Sequence, residues 1–80
     1  MPHSQPLNAE HAIRWLRRAI SAPGGDYWQG PSTALLIAAN HAPGFRKQIN
    51  AVRIKYRNGQ PWREDAQELV HLIMEAAWEA

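Results

Sequence analysis

The chain has 80 residues and no cysteine, with nine Lys and Arg against seven Asp and Glu for a formal net charge of +2. A chain this short buries only about 60–65% of the surface its unfolded form exposes, which leaves little interior for a deep catalytic cavity. The lack of cysteine excludes a disulfide framework and thiolate chemistry and suits a reducing compartment, and no apolar stretch approaches the ~20 residues of a membrane span.

Met1 to Leu7, with Pro2 and Pro6, read as an extended tail ahead of a single helical domain over residues 8–80. The tail lacks the basic start and apolar run of a signal peptide, so a cytoplasmic location is expected. Asn8 is a good N-cap, and Ala9, Ala12, Ile13, Leu16, Ala19 and Ile20 form the apolar side of a first helix over 9–21. Its other side carries His11, Arg14, Arg17 and Arg18, with Trp15 at the border and Glu10 four residues ahead of Arg14, a spacing suited to an ion pair.

Prolines and glycines mark residues 22–31 as a loop, which nonetheless holds Tyr27 and Trp28 side by side. In a small domain such aromatics more often fold back over the core than meet a ligand, but either is available to a partner or to unpaired bases. Pro31 suits the first position of a second helix over 31–41, and the run Ala34-Leu35-Leu36-Ile37-Ala38-Ala39 is apolar all round, which predicts a central helix. Pro43-Gly44 then breaks the chain.

Two local structures compete for the next stretch. At helical spacing Phe45, Ile49, Val52 and Tyr56 form one apolar stripe, and Asn58-Gly59 is a C-cap that ends a helix over 45–57. At strand spacing Val52, Ile54 and Tyr56 alternate with Arg53, Lys55 and Arg57, and Asn58-Gly59 turns a hairpin over 52–63. The returning strand would contain Pro61, which cannot donate to a ladder, so the helix is favoured. A last helix over 61–79 follows from the spacing of Trp62, Ala66, Leu69, Ile73 and Ala76, with Val70 and Ala77 widening the stripe. Trp78 and His71 fall on its far side with Glu64, Glu68 and Glu75.

The expected fold is therefore all-α, a small four-helix domain in which a helix, a tight break and a basic helix follow in helix-turn-helix-like order. Charge is divided along the chain: residues 1–63 hold nine cations and two acids, a balance of +7, and residues 64–80 hold five acids and no Lys or Arg, a balance of −5. Such a division fits a basic binding body with an acidic closing helix, or simply mutually neutralised faces.

Catalytic and metal readings find little support. His3, His11, His41 and His71 are widely spaced, with no helical pair and no carboxylate at a ligand-like distance, so no metal site is expected. Gly24-Gly25 opens no phosphate loop, and Ser4, Ser21 and Ser32 have no nucleophile context, so neither an enzyme nor a cofactor is implied. The leading expectation is nucleic-acid binding, most simply to duplex DNA. Arg46, Lys47, Arg53, Lys55 and Arg57, helped by Arg14, Arg17 and Arg18, would meet phosphates, and Gln48 and Asn50 would reach base edges. The alternative is a protein-binding regulator or inhibitor, of the compact kind that bacteria, phages and plasmids encode, using Tyr27, Trp28 and Trp78, since tryptophan, tyrosine and arginine dominate interface hot spots. The apolar stripe of the C-terminal helix is more often bundle core than a dimer interface; as an interface, a homodimer seam along Trp62, Leu69 and Ile73 would serve either.

Overall fold

A computed structural model describes residues 7–22 and 30–79. Among these residues there are four α-helices and no strand: α1 (Ala9–Ser21), α2 (Pro31–His41), α3 (Arg46–Arg57) and α4 (Arg63–Glu79), with a 3-10 turn at Pro43–Phe45 leading into α3.

Most helix boundaries have a local cause. The Asn8 side chain accepts the His11 backbone N–H at 3.3 Å, which satisfies one of the free donors at the start of α1. Pro31 opens α2, where its missing N–H costs no helical bond. The α2–α3 break is tighter than a loop. Phe45 N–H donates to the Ala42 carbonyl at 2.9 Å, so Phe45 belongs to the 3-10 turn and α3 starts one residue later than the apolar spacing suggests.

The end of α3 settles the competition between helix and hairpin. Gln60 N–H donates to the Lys55 carbonyl at 2.9 Å and Gly59 N–H to the Tyr56 carbonyl at 3.2 Å, the paired bonds of a Schellman cap. Gly59 adopts φ 74°, the left-handed conformation this cap needs. The hairpin over 52–63 is thus overturned: residues 52–57 are helical, and Asn58-Gly59 closes the helix. α4 begins at Arg63 and not at 61, because Pro61 and Trp62 form the connection that turns the indole inward. There its ring meets Tyr56 edge-on, with centroids 5.5 Å apart.

The core is assembled around α1 and α2, which share the most extensive contact; α3 packs on α2, and α4 on α1. Ala12, Leu16 and Ala19 of α1 and Ala34, Leu35, Ala38 and Ala39 of α2 are buried, joined by Ile49 and Val52 from α3 and by Trp62, Ala66, Leu69, Val70 and Ile73 around α4. The contact between α3 and α4 is much sparser than the other three. α2 is central, as its apolar run predicts, packed between α1 and α3 with Leu36 left 43% exposed. The apolar stripe around α4 is bundle core, and with Trp62, Leu69 and Ile73 buried in it the alternative seam for a second copy has no outward surface. No described helix is long and apolar enough to cross a membrane.

Leu16 is fully buried where α1 meets its neighbours, so Leu16→Ala should cost about 2–5 kcal/mol in urea unfolding. Gly59→Ala tests the cap in isolation. A Cβ there meets nothing within 4 Å, so a loss of about 1 kcal/mol would come from the left-handed backbone alone.

Candidate nucleic-acid interface

α3 contains no acidic residue, and its buried side is fixed by Ile49 and Val52. That orientation sorts the remaining residues onto three strips. Arg46, Asn50, Arg53 and Arg57, at successive spacings of four, three and four, run along the edge next to α2. Lys47 and Ile54 face away from the core, both exposed. Gln48, Ala51 and Lys55 lie along the edge next to α4, where they line a groove of about 270 Å³ with Val52, Asp65, Glu68, Leu69 and Leu72.

The α2 edge brings together four of the expected binding residues. Arg46 and Arg57 are exposed, Asn50 is half-buried, and Arg53 donates from Nε to Ser32 Oγ at 2.9 Å. This bond holds the Arg53 side chain against the start of α2 while its terminal nitrogens keep their donors. From Arg46 to Arg57 the helix rises roughly 16 Å. The edge thus presents two free guanidinium groups near its ends, with an amide and a tethered guanidinium between them.

Other expected members belong elsewhere. Lys55 Nζ lies 2.5 Å from Asp65 Oδ2, the one ion pair among the described residues, so its charge is engaged with α4. With both side chains nearly half exposed, that pair contributes at most about 1 kcal/mol. Gln48 is on the α4 side and cannot read the same surface as Asn50. α1 makes its extensive contacts with α2 and α4, not with α3. Arg14 and Arg17 accordingly border a different hollow, with Glu10, Ile13 and Met74, and Arg18 places its guanidinium carbon 5.2 Å from the Trp15 ring centroid. The two basic helices therefore do not make one continuous face. The Glu10–Arg14 ion pair suggested by their spacing is absent.

Of the expected aromatic contacts, Trp78 is 84% exposed at the end of α4, while Tyr27 and Trp28 lie outside the described residues. Trp62 is in the core and offers no free stacking platform.

One important residue escapes sequence reasoning. Arg63 donates from Nε to the Ile20 carbonyl at 2.9 Å and from Nη2 to the Ala22 carbonyl at 3.1 Å, while its guanidinium lies 4.7 Å from the Trp62 ring centroid. It caps the C-terminal end of α1, where carbonyls lack helical partners and the helix dipole favours a cation. At the opposite end of α1, the Asn8 backbone N–H donates to the His41 carbonyl at 2.8 Å and the rings of His11 and His41 lie 5.1 Å apart. No third His, Cys, Asp or Glu joins them among the described residues.

No family model, curated protein or solved structure matches this chain, so its own geometry carries the functional argument.

Arg63→Ala should destabilise the protein by about 1–2 kcal/mol in chemical denaturation, since two carbonyls lose a charge-assisted donor. Arg14→Ala breaks no such bond and should change stability by less than about 0.5 kcal/mol.

Proposed function

We propose that this is a small non-catalytic protein that binds nucleic acid, duplex DNA in the first instance, through the α2-side edge of α3. The observation that supports this reading is the strip Arg46-Asn50-Arg53-Arg57, accessible along a helix free of acids, with Lys47 beside it.

The dimensions suit the major groove. B-DNA's major groove is about 12 Å wide and admits an α-helix, and the strip rises roughly 16 Å. A helix lying across the groove therefore brings Arg46 and Arg57 to the phosphates on either wall and leaves Asn50 over the bases. An asparagine amide pairs with both the N6 and N7 positions of adenine, which gives Asn50 the reading role and the arginines the positioning role. Arg53, already held by Ser32, loses less side-chain freedom on meeting a phosphate than a free arginine does. The acids of α4 do not oppose this contact directly, because they belong to a helix that meets the opposite edge of α3.

Trp78 supports a second reading, in which the protein is a regulator or inhibitor that docks on another protein through this exposed indole. The two readings separate cleanly in titrations of labelled duplex followed by fluorescence anisotropy. With roughly four phosphate contacts, affinity should fall about 100-fold between 50 and 200 mM salt. Arg46→Ala and Arg57→Ala should each weaken binding to all sequences and reduce the salt slope by about one. Asn50→Ala should flatten sequence preference, and Arg14→Ala and Trp78→Ala should leave binding unchanged. Absence of binding at low salt, or equal losses from Trp78→Ala and Arg57→Ala, would overturn the nucleic-acid reading.

A further inference from the structure

The other edge of α3 faces a seam that the fold leaves partly open. Val52 and Leu69 form its floor, Ala51 and Leu72 its walls, and the Lys55–Asp65 ion pair spans it near the α3–α4 connection. Ala51 is exposed, Leu72 is 38% exposed, and beyond the α3 wall Ile54 is 58% exposed. The two banks carry opposite charge. On the α3 side Lys47 is exposed without an ionic partner; on the α4 side Glu68 and Glu75, which flank Leu72 one turn away in each direction, are exposed and unpaired.

We propose that this seam docks a second copy of the same chain across a two-fold axis running along the groove, so that the α3 of each copy lies on the α4 of the other. Charge decides the symmetry. A two-fold axis across the groove would stack α3 on α3 and α4 on α4, setting cation on cation and acid on acid. The axis along the groove sets each cationic bank on an acidic one, and the isologous contact makes every favourable pair twice.

The same axis fixes the register. α3 and α4 run in opposite directions, because Lys55 is level with Asp65 and Gln48 shares the groove with Leu72. Lys47 and Glu75 therefore sit at the same end. A rotation about the groove preserves that level and brings Lys47 of one copy to Glu75 of the other, while Ala51 covers Leu72. The footprint is limited. α3 has 12 residues, and two helix widths by its length give roughly 350 Å² of flat area per copy. That is less than half of a standard interface, so the dimer belongs to the weak, concentration-dependent associations.

Apart from Lys47, which borders both, this surface is separate from the Arg46–Arg57 strip, and it does not rest on nucleic-acid binding. Sedimentation velocity without nucleic acid tests it, at protein concentrations from about 10 to 500 µM. In low salt the protein should pass from monomer to dimer over this range, and about 0.5 M salt should shift the midpoint upward several-fold as the paired charges are screened. Lys47→Glu and Glu75→Lys, each with an unchanged circular dichroism spectrum, should both remain monomeric. Their equimolar mixture should recover the dimer, because each copy then supplies the charge that the other lacks. A wild-type protein that is monomeric throughout, a dimer indifferent to either substitution, or a mixture that fails to recover would overturn the proposal.

Discussion

The alanine-lined contact between α1 and α2 is the constraint on which the rest of the molecule depends. Ala12, Ala19, Ala34, Ala38, Ala39 and Ala42 are all buried there or beside it, with Leu16 and Leu35 as the large side chains among them. Small side chains let two helices approach closely, but each buries little apolar area, so the pair cannot stand alone. α3 therefore closes one side, bringing Ile49 and Val52, and α4 closes the other, bringing Leu69, Val70 and Ile73. With the central pair between them, α3 and α4 meet each other only along a sparse margin. That margin is the groove, and the exposure of Leu72 and Ala51 is its direct consequence.

The same constraint explains why the cations do not act as one pool. Along the sequence they look like a basic body opposed by an acidic tail. In the fold, Arg63 completes the C-terminal end of α1, Lys55 is matched by Asp65, Arg18 rests on Trp15 and Arg53 is held by Ser32. Arg14 and Arg17 belong to the α1–α4 side. Only Arg46, Lys47 and Arg57 remain as free cations on α3, which makes the binding face narrower than a count of basic residues suggests. A narrow face with one amide at its centre is a more specific object than a diffuse basic surface, because the positions of its phosphate contacts limit which bases the amide can reach.

What was legible in the sequence was what short-range chemistry determines. Asn8, Pro31 and Asn58-Gly59 each act within one helical turn, and each marks the boundary expected of it. The stripe of Phe45, Ile49, Val52 and Tyr56 gave the phase of α3, and hence which of its residues face outward. Other features depend on partners distant in the chain. Arg63 meets carbonyls 41 and 43 residues away, and Arg53 meets a hydroxyl 21 residues away; no periodicity encodes such pairs. The stripe of Trp62, Leu69 and Ile73 could be read both as core and as a seam for a second copy for a related reason. An apolar stripe states that a face must be covered, and only the packing of α1 against α4 shows that the chain covers it itself. Likewise the uniformly apolar run of α2 placed it at the centre but could not reveal that Leu36 stays exposed there.

The phase of α3 has a further physical consequence. Adjacent residues on a helix are about 100° apart, so Arg46 and Lys47, though consecutive, lie on different strips. Arg46 shares its edge with Asn50, Arg53 and Arg57 beside α2; Lys47 lies on the outward strip, away from the core. A partner seated on one edge therefore need not displace a partner on the other, and the two are coupled only through the rigid helix that carries both. The core residues Ile49 and Val52 set that rigidity, since they hold α3 in a single rotation about its axis. A small rotation would exchange the roles of the strips, moving Asn50 out of the arginine line and Lys55 away from Asp65. The two buried side chains thus do more than fill space: they fix which charges share an edge, and with it the division of α3 into two separate contact surfaces.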